Sequence, residues 1–167
     1  ALIPVLTRSP KDTRSRQVAF NAIAVLLKFA DLELDLEPYR STYTQASLTP
    51  KDIPSDETIF EWYHKIPLVH WRYAYGLFAT YGLRNHEIFH LEFEFPNVRV
   101  TEGKTGSRLV YPLHFEWIDL FGLESAVLPT TIRNTHKAQG AAVGFYFRSM
   151  GLPFSVYALR HAWAIRN

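Results

Sequence analysis

The 167 residues carry a net charge of +2, with 20% charged, 47% hydrophobic and 15% aromatic side chains. This composition supports a packed core and excludes a disordered basic tail, so any nucleic-acid partner must be met by locally concentrated charge. The sequence contains no cysteine, which excludes disulfides, thiolate metal sites and cysteine nucleophiles. Apolar runs fall short of the roughly 18–20 residues that cross a bilayer, so we expect a cytoplasmic protein that does not contact membranes.

A basic stretch precedes the first helical pattern. Its cations are Arg8, Lys11, Arg14 and Arg16. Positive side chains oppose the dipole at a helix N-terminus, so they are either simply solvated or matched by an external anion such as a phosphate. The second interpretation makes these four residues candidate DNA contacts.

The first helical pattern covers residues 14 to 34. Its apolar face consists of Phe20, Ile23, Leu27 and Ala30. The polar stretch 40–54 predicts a linker, so we place the domain boundary between residues 50 and 51. The chain starts at Ala1 rather than Met and stops at Asn167 within a helical pattern, so we expect a fragment.

Two helices are predicted next. Ser55 and Asp56 are suited to the N-cap of a helix that runs through His64. A second helix follows Pro67 and ends at Gly82, with a buried face formed by Leu68, Trp71, Tyr75 and Phe78.

From Phe93 onward the pattern changes to β. Val98 and Val100, the turn 101–106 and the stretch 108–113 predict a hairpin with Lys104 at or near its tip. Further helices are predicted over 115–121, 130–150 and from Ser155. The pattern over 115–121 is short. The pattern over 130–150 has one face formed by Ala138, Ala142, Phe145 and Ser149. The fold class is therefore α+β, mostly α-helical with a small antiparallel sheet.

The stretch ATYGLRNHEIFHL, residues 79–91, can be interpreted in two ways. His86, Glu87 and His90 form an H-E-x-x-H pattern, as in zinc proteases, where two histidines bind the metal and the glutamate activates water. The longer form of that pattern fails, because Phe93 and Pro96 stand where Gly and His are needed. A zinc protease is thus the third choice, and we predict no metal site.

A second motif, Gly103-Lys104-Thr105, is similar to part of a phosphate-binding P-loop. That loop needs a glycine five positions earlier, where Val98 stands, and a following helix, where a strand is predicted. The P-loop is therefore excluded.

The other interpretation of residues 79–91 combines Arg84 with Lys104 and Arg160. Each lies where local structure fixes a side chain, and three converging cations suit a phosphodiester, whose transition state carries extra negative charge. The ordered set GLR with Glu87, GKTGSR in a hairpin and YALRH in a late helix resembles the catalytic domain of tyrosine recombinases, the phage-integrase family. The resemblance covers roughly residues 53–167, and the helix at 14–34 is similar to the end of the DNA-clamping domain that precedes it.

This resemblance implies roles for single residues. Arg84 and Arg160 would hold the scissile phosphate, and Lys104 would protonate the departing 5′ oxygen. Glu87 would be structural, and His161 would be a supporting residue. The resemblance further implies double-stranded DNA as the partner, a tetramer of the full-length protein on DNA, and no cofactor.

The sequence departs from the family pattern at two places. Tyr157 stands where the family has histidine, and a phenol is a poor general base at neutral pH, although its hydroxyl can donate to a phosphate. Recombinases that excise DNA elements from cyanobacterial genomes are similar in having tyrosine here. Of nine tyrosines, none follows Arg160, where the family has its nucleophile, so we expect this chain alone not to cleave DNA. The alternative function is a non-catalytic DNA-binding protein derived from a recombinase.

Overall fold

A computed structural model describes residues 2–44, 53–103 and 106–167. The chain divides into two compact units, Ala1–Pro50 and Lys51–Asn167, which are described separately. The prediction that places Lys104 at a hairpin tip lies outside the described residues.

The first unit contains helices α1 (Ile3–Thr7) and α2 (Arg14–Phe29), followed by a short 3-10 helix (Glu37–Tyr39). Thr13 caps α2, its hydroxyl accepting the N–H of Arg16 at 3.3 Å. The buried hydrophobic residues described in this unit are Leu6, Phe20, Ile23, Leu27 and Leu36. Three members of the predicted apolar face are thus confirmed.

Helix α2 ends earlier than predicted. It stops at Phe29, and Asp31 has a φ of 50°, a left-handed conformation that the helix cannot continue through. Ala30, predicted to lie on the buried face, is exposed at the C-cap.

The second unit begins with helices α3 (Asp56–Lys65) and α4 (Val69–Tyr81). Ser55 caps α3 as predicted, accepting the N–H of Thr58 at 3.3 Å. Helix α4 is buried along its entire second half, from Ala74 to Tyr81, so it is the central element of the core. Of its predicted face, Tyr75 and Phe78 are buried, whereas Leu68 is 48% exposed.

Within the described residues, three strands form one antiparallel sheet in the order β1-β2-β3. They are β1 (Leu91–Glu94), β2 (Asn97–Val100) and β3 (Arg108–Val110). Leu91 pairs with Val100, and Val98 pairs with Val110. The sheet buries Val98, Val100 and Val110 against the core, which is the alternation that the sequence predicts for β2.

The remaining helices are α5 (Glu116–Leu120), a 3-10 helix (Leu123–Ser125), α6 (His136–Ser149) and α7 (Tyr157–Arg166). The fold class is therefore α+β, mostly helical with a small antiparallel sheet, as predicted. None of the helices in the described ranges combines the length and apolar character that crossing a bilayer requires.

The prediction for α6 was wrong about the residue at which the helix starts and about the face that it buries. Residues 130–135 are not helical, and Thr135 caps the helix by accepting the N–H of Ala138 at 3.2 Å. The buried side chains are Gln139, Val143 and Phe147, while Phe145 is 69% exposed. The predicted face was rotated because Gly140 and Gly144, which pass close to Asn85, carry no apolar side chain that would mark the packed side.

Candidate functional site

The end of α4 positions Arg84. Gly82 adopts a left-handed conformation, with φ 57° and ψ 38°, and its N–H donates to the Phe78 carbonyl at 3.1 Å. This is the glycine position that commonly ends a helix. Leu83 is then buried, and Arg84 becomes the N-cap of a 3-10 helix, Asn85–Phe89. Arg84 is therefore joined to the buried helix α4 by a single sharp turn.

Glu87 lies beneath Arg84 and is fully buried. Its Oε2 accepts the backbone N–H of Arg84 at 2.7 Å, and its Oε1 accepts from Nη1 of the Arg84 guanidinium at 2.8 Å. One carboxylate thus fixes both the backbone and the side chain of Arg84, while that side chain stays 24% exposed.

Arg108, the first residue of β3, makes a second ion pair with Glu87. Its Nη1 donates to Oε1 at 2.8 Å and its Nη2 donates to Oε2 at 2.7 Å, a two-pronged arrangement. A side-chain carbon on Gly103 would lie 2.7 Å from Nη1 of Arg108 and 2.8 Å from the Gly106 carbonyl oxygen, so this close approach requires glycine.

These contacts keep Glu87 ionised. Burial alone raises the pKa of a carboxyl group, but the hydrogen bonds from Arg108 and from the backbone and guanidinium of Arg84 outweigh it and lower the pKa of Glu87 to about 2. The carboxylate therefore remains charged at any physiological pH.

Helix α7 brings Arg160 to the Gly82 turn, from which Arg84 also projects. Its Nη1 donates to the carbonyl of Gly82, two residues before Arg84. Trp163, one turn later, covers Gly82 so closely that an added side-chain carbon there would lie 2.6 Å from the indole ring. The Gly82 turn is thus the point at which α4 and α7 meet.

The arginines repel one another. Burial, followed by the charge of Arg84, lowers the pKa of Arg160, and the charge of Arg108 acts in the same direction. Arg84 and Arg108 pair with the carboxylate of Glu87, and Arg160 lies within electrostatic range of all three groups. The four side chains together carry a net charge of two positive units. An anion bound here would relieve that repulsion, and guanidinium forks match phosphate oxygens well.

Two other predicted residues lie on α7. Tyr157 is its first residue and is 37% exposed. Its ring makes an edge contact with His161, with ring centroids 5.1 Å apart. Lys104 lies outside the described residues, between Gly103 and Gly106, which join through a backbone hydrogen bond of 3.0 Å.

The structure excludes the zinc-protease interpretation of residues 86–90. Glu87 is buried and its two oxygens are held by Arg84 and Arg108, so it cannot activate a metal-bound water. The two histidines also lie on a 3-10 helix and its C-cap, rather than on the α-helix that places them one turn apart.

Of the four basic residues predicted to contact DNA, Arg16 is a correction. It is 6% exposed, and its guanidinium donates to the carbonyls of Leu6, Ser9 and Tyr39, so it braces the first unit from within. The sequence could not separate it from the other three, which are exposed: Arg8, Lys11 and Arg14.

Two proteins of Nostoc sp. (strain PCC 7120 / SAG 25.82 / UTEX 2576) are similar to this chain. Excisase A is 38% identical over 117 residues, which is 58% of this chain and 25% of Excisase A. Excisase C is 29% identical over 181 residues, which is 86% of this chain and 35% of Excisase C. The chain thus spans a quarter to about a third of the length of these relatives.

No family model matches the chain. No solved structure matches it either.

Sequence reasoning missed Arg108 and Gly103 as parts of this site. The motif GKTGSR contains both, and a charged residue that opens a strand among apolar neighbours was the available signal. Their role depends on Glu87 being buried at the end of a different element, which no local pattern shows.

Proposed function

We propose that this chain is part of an enzyme that excises DNA by site-specific recombination, breaking and rejoining strands through a 3′-phosphotyrosine intermediate. The observation that carries the proposal is the convergence of Arg84 and Arg160 on the Gly82 turn, with Glu87 and Arg108 fixed beneath them. The names of the two excisases support excision as the outcome.

In this proposal, Arg84 and Arg160 bind the scissile phosphate and stabilise the additional charge of its transition state. A tyrosine oxygen attacks the phosphorus, the bond to the 5′ oxygen breaks, and Lys104 donates a proton to that oxygen. The phosphotyrosyl bond conserves the energy of the broken link, so the reverse reaction rejoins the strand without nucleotide hydrolysis.

Glu87 and Arg108 play a different part. Glu87 is fully buried, and Arg108 donates to both of its oxygens, so these two side chains hold the Arg84 fork in one orientation before DNA arrives. Such preorganisation lowers the cost of ordering the site during the reaction. Tyr157 donates a hydrogen bond from its hydroxyl to the bound phosphate, and His161 supports Arg160 from the same helix.

The partner is double-stranded DNA, contacted by the second unit at the arginine site and by the first unit through Arg8, Lys11 and Arg14. The residues 1–50 would belong to a DNA-clamping domain and 51–167 to a catalytic domain. Recombination between two duplexes would join four copies of the full-length protein.

The rival is a DNA-binding protein that does not cleave. A phenol at Tyr157 is a poor general base at neutral pH, and this suits a protein that binds a phosphate without cleaving the strand. Both functions bind DNA at Arg84 and Arg160, so binding measurements alone cannot separate them.

Covalent capture separates the two. The protein should be expressed from its gene through the natural stop codon, incubated with fragments of its source genome, and denatured in detergent before DNA attached to protein is recovered. We expect an adduct with the wild type and its loss in Arg84→Gln and Arg160→Gln, while Arg99→Gln, an exposed arginine of β2, retains it. DNA binding without any adduct would support the rival, and neither binding nor adduct would refute both.

A further inference from the structure

Three potential metal ligands meet on the second unit, apart from the arginine site. His90 lies at the end of the 3-10 helix, Glu102 follows β2, and His136 is the first residue of α6. The ligand atoms of the three side chains lie within 4.8 Å of one another. Residues distant in sequence are thus brought to one point by the sheet and by the packing of α6.

We propose that His90, Glu102 and His136 form a zinc-binding site. Oε2 of Glu102 lies 3.4 Å from Nδ1 of His90 and 3.5 Å from Nε2 of His136. Zinc bonds of about 2.0–2.2 Å at tetrahedral angles place neighbouring ligand atoms about 3.3–3.6 Å apart. The two separations from Oε2 of Glu102 therefore correspond to two edges of a zinc tetrahedron.

Gln139 prepares His90 to bind a metal through Nδ1. Its Nε2 donates to the Arg133 carbonyl at 3.0 Å, which leaves its Oε1 facing Nε2 of His90, also at 3.0 Å. Since Oε1 can only accept, the single ring proton of a neutral His90 lies on Nε2, which leaves the lone pair of Nδ1 directed towards Glu102. Buried partners of this kind commonly orient metal-binding histidines.

The ring of His136 is held by other histidines. It stacks on His86, with centroids 4.4 Å apart, and meets the ring of His90 edge-on at 5.2 Å. His90 is 17% exposed, whereas His136 and Glu102 are 43% and 63% exposed. A metal held here would be reached from solvent, with its fourth position filled by water.

The bound ion would join the turn after β2 to the start of α6. Glu102 is two residues before Lys104 in the sequence, so the ion would fix the chain that leads to this residue. Glu87 cannot take part, because its oxygens are held by arginines, so the site has a structural rather than a hydrolytic role. This inference stands whether or not the protein cleaves DNA.

The test is a zinc titration of the 167-residue chain by calorimetry after treatment with chelator, with Mg²⁺ as the comparison ion because it prefers oxygen ligands. We expect one zinc ion per chain, a rise in the midpoint of thermal unfolding, and no binding of Mg²⁺. Substituting Co²⁺ should give the absorption bands of a four-coordinate ion.

Variants assign the ligands. Glu102→Gln and His136→Gln should each weaken zinc binding by more than roughly tenfold, and Gln139→Leu should weaken it less. The exposed residues Glu124 and His64 provide matched controls, since Glu124→Gln and His64→Gln should bind as the wild type does. Circular dichroism checks that each variant is folded.

Failure to bind zinc at millimolar concentration would overturn the proposal. So would zinc binding that survives either ligand substitution, because the ion would then lie elsewhere. Since the readout is metal binding, neither result bears on strand cleavage.

Discussion

Arg108 donates to both carboxylate oxygens of Glu87, at 2.8 and 2.7 Å, while Glu87 also accepts from the backbone and the guanidinium of Arg84. The buried carboxylate of Glu87 thus links Arg108, at the start of β3, to Arg84, just after α4, and both guanidinium groups remain about a quarter exposed. The stability of the second unit and the orientation of Arg84 therefore both depend on the carboxylate of Glu87.

Glu87→Gln should destabilise the second unit by about 3 kcal/mol at pH 7, because the pKa of Glu87 is lowered from 4.5 to about 2 on folding. A lowered folded-state pKa contributes stability that is complete above pH 4.5 and is lost as the pH falls towards 2. The difference between wild type and variant should therefore shrink over that interval. Urea denaturation at pH 7 and pH 3 measures it.

The matched control is Glu94→Gln, which removes an exposed pair with Arg99. Exposed pairs contribute little, so this variant should unfold as the wild type does at both pH values. An equal loss in the two variants would contradict a special role for Glu87.

Arg108→Gln should cost about 3–5 kcal/mol, because it leaves a buried carboxylate with one arginine instead of two. The double variant with Glu87→Gln has no unpaired buried charge. Its loss of unfolding free energy should therefore be smaller than the sum of the losses in the two single variants. Chemical denaturation of the four proteins measures the coupling. Additive losses would show that the two side chains do not act together.

Gly82→Ala should destabilise strongly, because it combines a positive φ of 57° with a contact of 2.6 Å to Trp163. Gly151→Ala provides the control: its φ is 79°, but an added carbon meets nothing within 4 Å. The control should lose only about 1–2 kcal/mol of unfolding free energy, from backbone strain at positive φ. Gly82→Ala should lose more, because the clash with Trp163 is added to that strain. Comparable melting temperatures for the two variants would contradict the packing of α7 on the Gly82 turn.

Arg14 and Arg16 should respond in opposite ways to substitution by glutamine. Arg16→Gln should destabilise the first unit by about 2–3 kcal/mol, since buried carbonyls lose a charged donor. Arg14→Gln should leave stability unchanged and weaken DNA binding, because this side chain is exposed. Thermal unfolding and fluorescence anisotropy with labelled duplex measure the two effects, and an interchange of them would refute the assignment.

Local patterns predicted most helices because caps and glycines act locally. Ser55 caps α3, and Gly82 ends α4 in the left-handed conformation, both at the predicted residues. The same patterns failed for α6, where the start depends on Thr135 and the packed face contains Gln139 rather than an apolar residue.

The candidate site was less predictable because its contacts join distant elements. Arg84 and Glu87 are three residues apart and could be paired from sequence. In contrast, Arg108 reaches Glu87 across 21 positions, and Arg160 reaches the Gly82 carbonyl across 78. Arg16 shows the reverse error: in sequence it resembles its basic neighbours, and only the three carbonyls around it show that it is internal.

The salt dependence of DNA binding tests most directly whether Arg84 and Arg160 hold one phosphate. The logarithm of affinity falls with the logarithm of salt concentration, with a slope of about 0.9 for each phosphate neutralised. Arg84→Gln, Arg160→Gln and the double variant should be compared with the wild type and with Arg99→Gln by anisotropy over a series of salt concentrations. If the two arginines share a phosphate, the arginine that remains in a single variant still neutralises it. Each single variant should therefore change the slope little, and the double variant should lower it by about one. A decrease of about two would place them on different phosphates, and an unchanged slope would remove both from the DNA interface.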